Sequence, residues 1–163
     1  MKKILFAMAS AIVLLSVGGC SSEEKADTMM KCEYYQKDGE GEKSFSAFFT
    51  YVNETKEAVT GDITTNYSGF AKNEVNNKEL TDILIRNSVL DEVEGVEMEV
   101  TSNDTDFGSY EEWNYRDVEL ETVGTTDEIQ NEFIDRNEGQ YSIEMIQKYY
   151  ENNNYSCSIS DIE

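Results

Sequence analysis

The spacing of apolar positions changes several times along this chain, and each change marks an element. Ile4 to Val17 is one apolar run, broken only by the small Ser10 and Ser16. At about 14 residues it falls short of the roughly 20 that cross a bilayer as a helix. Met30 to Tyr35 reads as a first strand, and Lys37-Asp38-Gly39-Glu40-Gly41-Glu42 as a turn. Ser44 to Val52 then alternates, with Phe45, Ala47, Phe49 and Tyr51 on one face. Asn53-Glu54-Thr55-Lys56 turns the chain, and Glu57 to Tyr67 alternates again through Val59, Gly61, Ile63, Thr65 and Tyr67. Aromatic and β-branched residues at period two predict a β-hairpin with one buried face.

From Ala71 to Leu90 the period lengthens to three and four. Val75, Leu80, Ile83, Leu84, Asn87 and Leu90 trace the stripe of a helix lying on a sheet. Past the break at Gly95, Val96, Met98 and Val100 alternate with Glu97 and Glu99 as a half-buried strand with an acidic outer face. A turn over 102–109 leads into a long strand from Tyr110 to Val123. Trp113 and Tyr115 keep one phase within it and Val118 and Leu120 the other, which predicts a bulge near Arg116. Thr125-Thr126-Asp127-Glu128 has capping-box spacing for a short helix through Ile129, Phe133 and Ile134, ended by Asn137-Glu138-Gly139. Ser142 caps a second helix, with Tyr141 and Ile146 placed as a hydrophobic staple. Its apolar side is Ile143, Ile146, Tyr149 and Tyr150. Asn152-Asn153-Asn154 stops it, and Tyr155, Cys157 and Ile159 alternate as a last strand. The pattern predicts an α+β domain, an antiparallel β-sheet packed against a long helix with two short helices near the C-terminus.

The opening run gains its meaning from its flanks. Lys2 and Lys3 precede it, and Val17-Gly18-Gly19-Cys20 closes it as a lipobox, with Val17 where leucine is usual. Cleavage between Gly19 and Cys20 frees a cysteine whose thiolate takes a diacylglyceryl group as a thioether. Two acyl chains of the palmitate class then give durable membrane attachment where one would not. The alternatives are an ordinary signal peptide with a chance cysteine, or an uncleaved anchor. Ser21 to Thr28 lacks any apolar pattern and reads as a tether with a reach of roughly 15–20 Å. The expected division is a lipoprotein signal peptide over 1–19, a flexible tether over 20–30 and one acidic domain over 31–163.

Removing residues 1–19 leaves 144 residues, enough for one hydrophobic core, and takes the formal charge from −21 to −23. Such a surface argues against nucleic acid, which needs Lys/Arg patches, and against electrostatic docking on anionic lipid. It is compatible with a cationic partner or metal cations, and more simply it keeps an exported domain soluble and off the membrane. The chain has no histidine and no proline. That excludes every Ser-His-Asp or Cys-His arrangement within it. With Cys20 assigned to lipid, Cys32 and Cys157 remain. An even remainder in an oxidising compartment suggests one disulfide, closing a loop of about 126 residues. The alternative is a pair of reduced structural cysteines.

The best metal candidate is Asn103-Asp104-Thr105-Asp106-Phe107-Gly108. Counted from Asp104, a calcium loop has Ser109 in place of the sixth-position glycine. Counted from Asn103, it has Phe107 fifth and Asn114 last. Neither register fits, so a polar turn is expected and no metal or other cofactor is assigned. Gly41-Glu42-Lys43-Ser44 fails as a phosphate loop for want of Gly-Lys-Ser in sequence. Glu111-Glu112 and Glu97/Glu99 read as solvated strand faces, and no pair stands out as glycosidase acids. Four Asn-x-Ser/Thr sequons, such as Asn53-Glu54-Thr55, matter only in a host that N-glycosylates.

The signal ending in Gly19-Cys20, the hairpin followed by a helix, the two later strands and the closing Tyr141-Ser142-Ile143-Glu144 … Tyr155-Ser156-Cys157 resemble the small YehR-like bacterial lipoproteins. Departures are the strong acidity and Asn153-Asn154 where a glycine turn is common. The resemblance implies an α+β domain on a lipid anchor and supplies no catalytic residues. The functional expectation is a non-enzymatic lipoprotein on the extracytoplasmic face of the cell membrane, held to lipid through Cys20. It would bind or scaffold another envelope protein, with a cationic one favoured by charge. The alternative is an inhibitor of a cationic envelope hydrolase such as a lysozyme, and an enzyme using carboxylates alone comes third.

Overall fold

The computed structural model of the chain describes residues 24–39, 41–69, 74–122 and 127–162, with main chain only at 38 and 74–77. Three long strands come first: β1 (Thr28–Asp38), β2 (Gly41–Tyr51) and β3 (Ala58–Ser68). The helix α1 (Glu74–Leu90) leads to β4 (Val96–Ser102) and β5 (Phe107–Asn114). After these come α2 (Glu128–Asn131), the short β6 (Ile134–Asp135) and β7 (Gln140–Tyr141), α3 (Ile143–Asn152) and β8 (Ser156–Asp161). Six strands form one antiparallel sheet in the order β4-β5-β3-β2-β1-β8, and β6 and β7 pair apart from it. The molecule is α+β and dominated by this sheet.

Period two decides what lies beneath the sheet. One inward row runs Cys157, Cys32, Ala47, Ile63, Glu111, Met98 across the six strands, and the next runs Ile159, Met30, Phe49, Gly61, Trp113, Val96. These rows meet Ile143, Ile146 and Tyr150 of α3, together with Phe133, Ile134 and Tyr141, in one buried cluster. Gly61 is required by close approach. A Cβ there would stand 3.0 Å from the Tyr115 ring and 3.1 Å from Phe49. The sheet is fastened at its far edge by a disulfide. Cys32 and Cys157 are direct cross-strand partners on β1 and β8, and their Sγ atoms are bonded.

Several expectations need revision. The first strand begins at Thr28, inside the stretch read as tether, and Asp27 already bonds Tyr51 and Asn53. The expected long strand from Tyr110 to Val123 stops at Asn114. Residues 115–117 form a turn, with the Tyr115 N–H still bonded to the Val59 carbonyl of β3, so the change of phase there is a strand end and not a bulge at Arg116. The register shift falls instead where β2 meets β3, between Thr50 and Tyr51. There Thr60 and Ala58 are successive partners and Val59 is skipped. The helix expected through Phe133 and Ile134 ends at Asn131. Its cap is Asp127, whose carboxylate accepts from the main-chain N–H groups of Ile129 and Gln130, while Thr125 and Thr126 lie outside the described residues. The long helix α1 is present but is not a buried layer. Of its described apolar stripe only Leu90 is buried, and Leu84 is 50% exposed.

Candidate functional site

Gly19, Cys20 and the whole of 1–23 lie outside the described residues, so the expected cleavage and lipidation site has no structural counterpart here. No described helix is long and apolar enough to cross a membrane. The loop weighed as a calcium site uses its polar groups on itself. Asn103 Oδ1 accepts from the N–H groups of Thr105 and Asp106. Asp106 accepts from Ser68 Oγ at 2.8 Å and Gly69 N at 3.0 Å. These donors hold the Asp106 carboxyl down at about 2, the Gly69 amide contributing most. Among the described residues no group of three acids or cysteines is placed to hold a metal.

The two faces of the sheet carry different chemistry. On the outer face one row reads Lys31, Phe48, Asp62, Glu112, Glu97 from β1 to β4. Three carboxylates are therefore successive cross-strand neighbours, an arrangement that costs stability by itself. Partial burial and then the charge of Glu112 raise the Asp62 carboxyl above the usual range. The phenol of Tyr110, in the adjoining row beside Glu99, donates to Glu112 at 2.7 Å and is pushed up to about 12 by that bond. The described elements leave this face open, and Tyr35 is 61% exposed on it.

On the inner face Glu111 is only 2% exposed, in phase with Trp113 and not on the solvated side as its neighbour Glu112 is. Arg86 reaches it from α1. One guanidinium nitrogen bonds Glu111 Oε1, while Nε and Nη2 both donate to Asp127 Oδ2 at 2.9 and 2.7 Å. The second Glu111 oxygen accepts from the Trp113 indole at 3.0 Å. Burial pulls the Arg86 pKa down, but the two carboxylates outweigh it and hold it above the ordinary value. One cation thus joins α1, the sheet and the cap of α2.

Above this cluster, Arg86, Glu111 and Gln130 line a cavity of about 180 Å³ whose walls include Phe45, Tyr67, Tyr150 and Tyr155. The rings pack on one another, Phe45 to Tyr155 at 4.7 Å and Tyr150 to Tyr155 at 5.1 Å between centroids. Burial raises the phenols of Tyr67, Tyr150 and Tyr155, so they are neutral donors at ordinary pH. Gln130 is fully buried and both atoms of its amide lack a hydrogen-bond partner.

The sequence reading missed this group of residues. The signal for Glu111 was there, because Phe107, Ser109, Glu111 and Trp113 share one parity. Arg86 lies three positions from Ile83 and four from Leu90 on the same helix face. Nothing in the residue pattern marks Gln130.

No curated protein matches the chain. Among solved structures it is similar to the Escherichia coli YehR protein, with a TM-score of 0.51 and 12% identity, over 83% of this chain and 92% of that one. It is also similar to a protein from Streptococcus pneumoniae TIGR4, with a TM-score of 0.49 and 13% identity, over 97% and 98% of the two chains. At such identity the likeness to YehR shows a shared fold alone. Residues 20–163 match the domain of unknown function DUF8824, and the chain belongs to that family.

Proposed function

We propose that the chain is a non-enzymatic binding module of the cell envelope, tied to the extracytoplasmic membrane face through lipid on Cys20, and that it docks a cationic protein on its open sheet face. The observation that carries the docking is the outer row Asp62, Glu112, Glu97. Like charges on neighbouring strands oppose folding, and opposite charge from a partner relieves that repulsion while steering the encounter. The net charge of −21 acts in the same direction at longer range. The lipobox motif and a family match that begins at Cys20 support the anchor.

The docking and the anchor are tested separately. Calorimetric titration with a basic lysozyme as probe should give micromolar binding at low salt that weakens as salt rises. Replacing Asp62 and Glu112 together by Asn and Gln should weaken it further. An absence of heat at low salt rejects the docking face. Cell-wall hydrolysis in the same mixtures separates simple docking from inhibition of the hydrolase. For the anchor, a clickable palmitate should label the wild type and not Cys20→Ala. Equal labelling of both, or none of either, rejects lipidation at this residue.

A further inference from the structure

The cavity under the sheet has a chemistry of its own, separate from the acidic face on the other side. Its charged groups already have counter-ions. Arg86 is held by Glu111 and Asp127, and Lys43, which also lines the cavity, has Glu79 at 3.8 Å. What lacks a partner there is an uncharged group, the Gln130 amide. Its main chain is fixed, because the Gln130 N–H donates to the Asp127 cap at 3.2 Å. The same Asp127 is locked by Arg86, so the amide is presented by a rigid support. The neighbouring Tyr115 hydroxyl, pushed up mainly by burial and pulled down by the Gln130 side chain, also has no hydrogen-bond partner. Buried amides with neither donor nor acceptor satisfied are rare in folded proteins. A cavity walled by aromatic rings, with a few polar groups at one end, is the usual form of a small-molecule site.

We propose that this cavity binds a small uncharged amphiphile, an aromatic or aliphatic body whose head carries both a hydrogen-bond donor and an acceptor, as an amide does, paired with Gln130. An added anion would meet a buried cluster that already holds two carboxylates to one guanidinium. An added ammonium would shed its water where every carboxylate already has a cation, with no unpaired acid to receive it. A neutral head avoids both and completes the Gln130 amide in each sense.

The test uses acetanilide as probe on the ¹⁵N-labelled full chain, with phenylacetate and benzylammonium as charged counterparts of similar body. Acetanilide should shift the Gln130 side-chain amide resonances saturably, and the two ions should bind about ten-fold more weakly or worse. Gln130→Leu should abolish the preference for the neutral probe. Ile83→Trp, placed on α1 at the cavity wall, should block all three. If Gln130→Leu does not fold, the wild-type side-chain resonances still decide the matter. Unshifted Gln130 resonances at the solubility limit of acetanilide, as a cavity filled by water alone would give, overturn the proposal. So does equal binding of the charged probes.

Discussion

At the scale of single residues, the burial of Glu111 has a consequence for stability. Its two oxygens serve Arg86 and the Trp113 indole together. Glu111→Leu leaves a largely desolvated guanidinium with Asp127 alone and an indole N–H with no acceptor. Removing one partner of a buried pair is costly, and the expected loss is about 2–4 kcal/mol. Glu111→Gln keeps one acceptor oxygen but turns an amide NH2 toward the other donor, so it should lose less than Glu111→Leu and still fall below the wild type. Urea denaturation of the three proteins checks the order, and a neutral Glu111→Leu would contradict the structural role assigned here. Asp106 makes a different prediction. Its carboxyl is held at about 2 in the fold against 3.8 in the unfolded chain. The folded state therefore binds fewer protons between those values. The contribution is complete above about pH 4 and disappears as pH falls through 2. Asp106→Asn should remove that part of the acid limb, so its melting temperature should fall less than the wild type's between pH 4 and 2. Period-two reading could reach Glu111, yet residue type argued for the solvent side. Asp106 was legible as part of a polar turn, because Asn and Asp close such turns with their own side chains.

At the scale of elements, the end of α3 shows what a residue pattern can and cannot carry. Tyr155 N–H bonds the carbonyl of Tyr150, Asn154 N–H bonds that of Glu151, and the Tyr150 and Tyr155 rings lie 5.1 Å apart. This is a Schellman closure with its hydrophobic contact, and Asn154 occupies the left-handed position at φ 67°. Asparagine tolerates that conformation and glycine adopts it without a steric penalty. Asn154→Gly should therefore leave stability unchanged or raise it by up to about 1 kcal/mol, and Asn154→Val should lower it by about 1–2 kcal/mol. Chemical denaturation of both variants reads the difference. The triple Asn152-Asn153-Asn154 made this stop visible in the sequence. At the other end Ser142 stands at the N-cap position as expected, but its side chain makes no cap hydrogen bond, while Tyr141 and Ile146 are both buried. The hairpin of β2 and β3 was legible for the same reason, because alternation over many residues fixes which side is buried. Depth is another matter. The three-four spacing of α1 gives its phase, but its stripe is mostly half-buried or open because the sheet's inner face is already filled by α3 and the residues around Phe133 and Tyr141. Strand ends were equally hidden. Gly95 carries φ 81°, and its carbonyl accepts from the Asn114 N–H, fixing where β5 ends through a contact 19 positions away that no local pattern contains.

At the scale of the whole molecule, 34 acidic residues face 13 basic ones, and the fold must tolerate the surplus. The described ion pairs are of two kinds. Lys31–Glu33, Lys37–Glu42 and Lys78–Asp82 are exposed and contribute little. The Arg86 cluster and Arg116 with Glu57 are partly or largely buried, and salt screens such pairs only weakly. Added salt therefore removes little attraction. It removes much repulsion, since the Debye length falls from about 30 Å at 0.01 M to about 5 Å near 0.5 M. The melting temperature should accordingly rise with sodium chloride over that range, by on the order of 5 °C, which for a domain of this size corresponds to about 1–2 kcal/mol. The rise has a local component that can be isolated. Neutralising Asp62, Glu112 and Glu97 as amides should raise the melting temperature at low salt and flatten its salt dependence, because three adjacent charges on one face repel most strongly. A melting temperature that is flat or falling with salt would show that repulsion is not what limits this fold. The outer row would then lose its energetic motive for taking a cationic partner, while the neutral cavity on the opposite face would be untouched by the result.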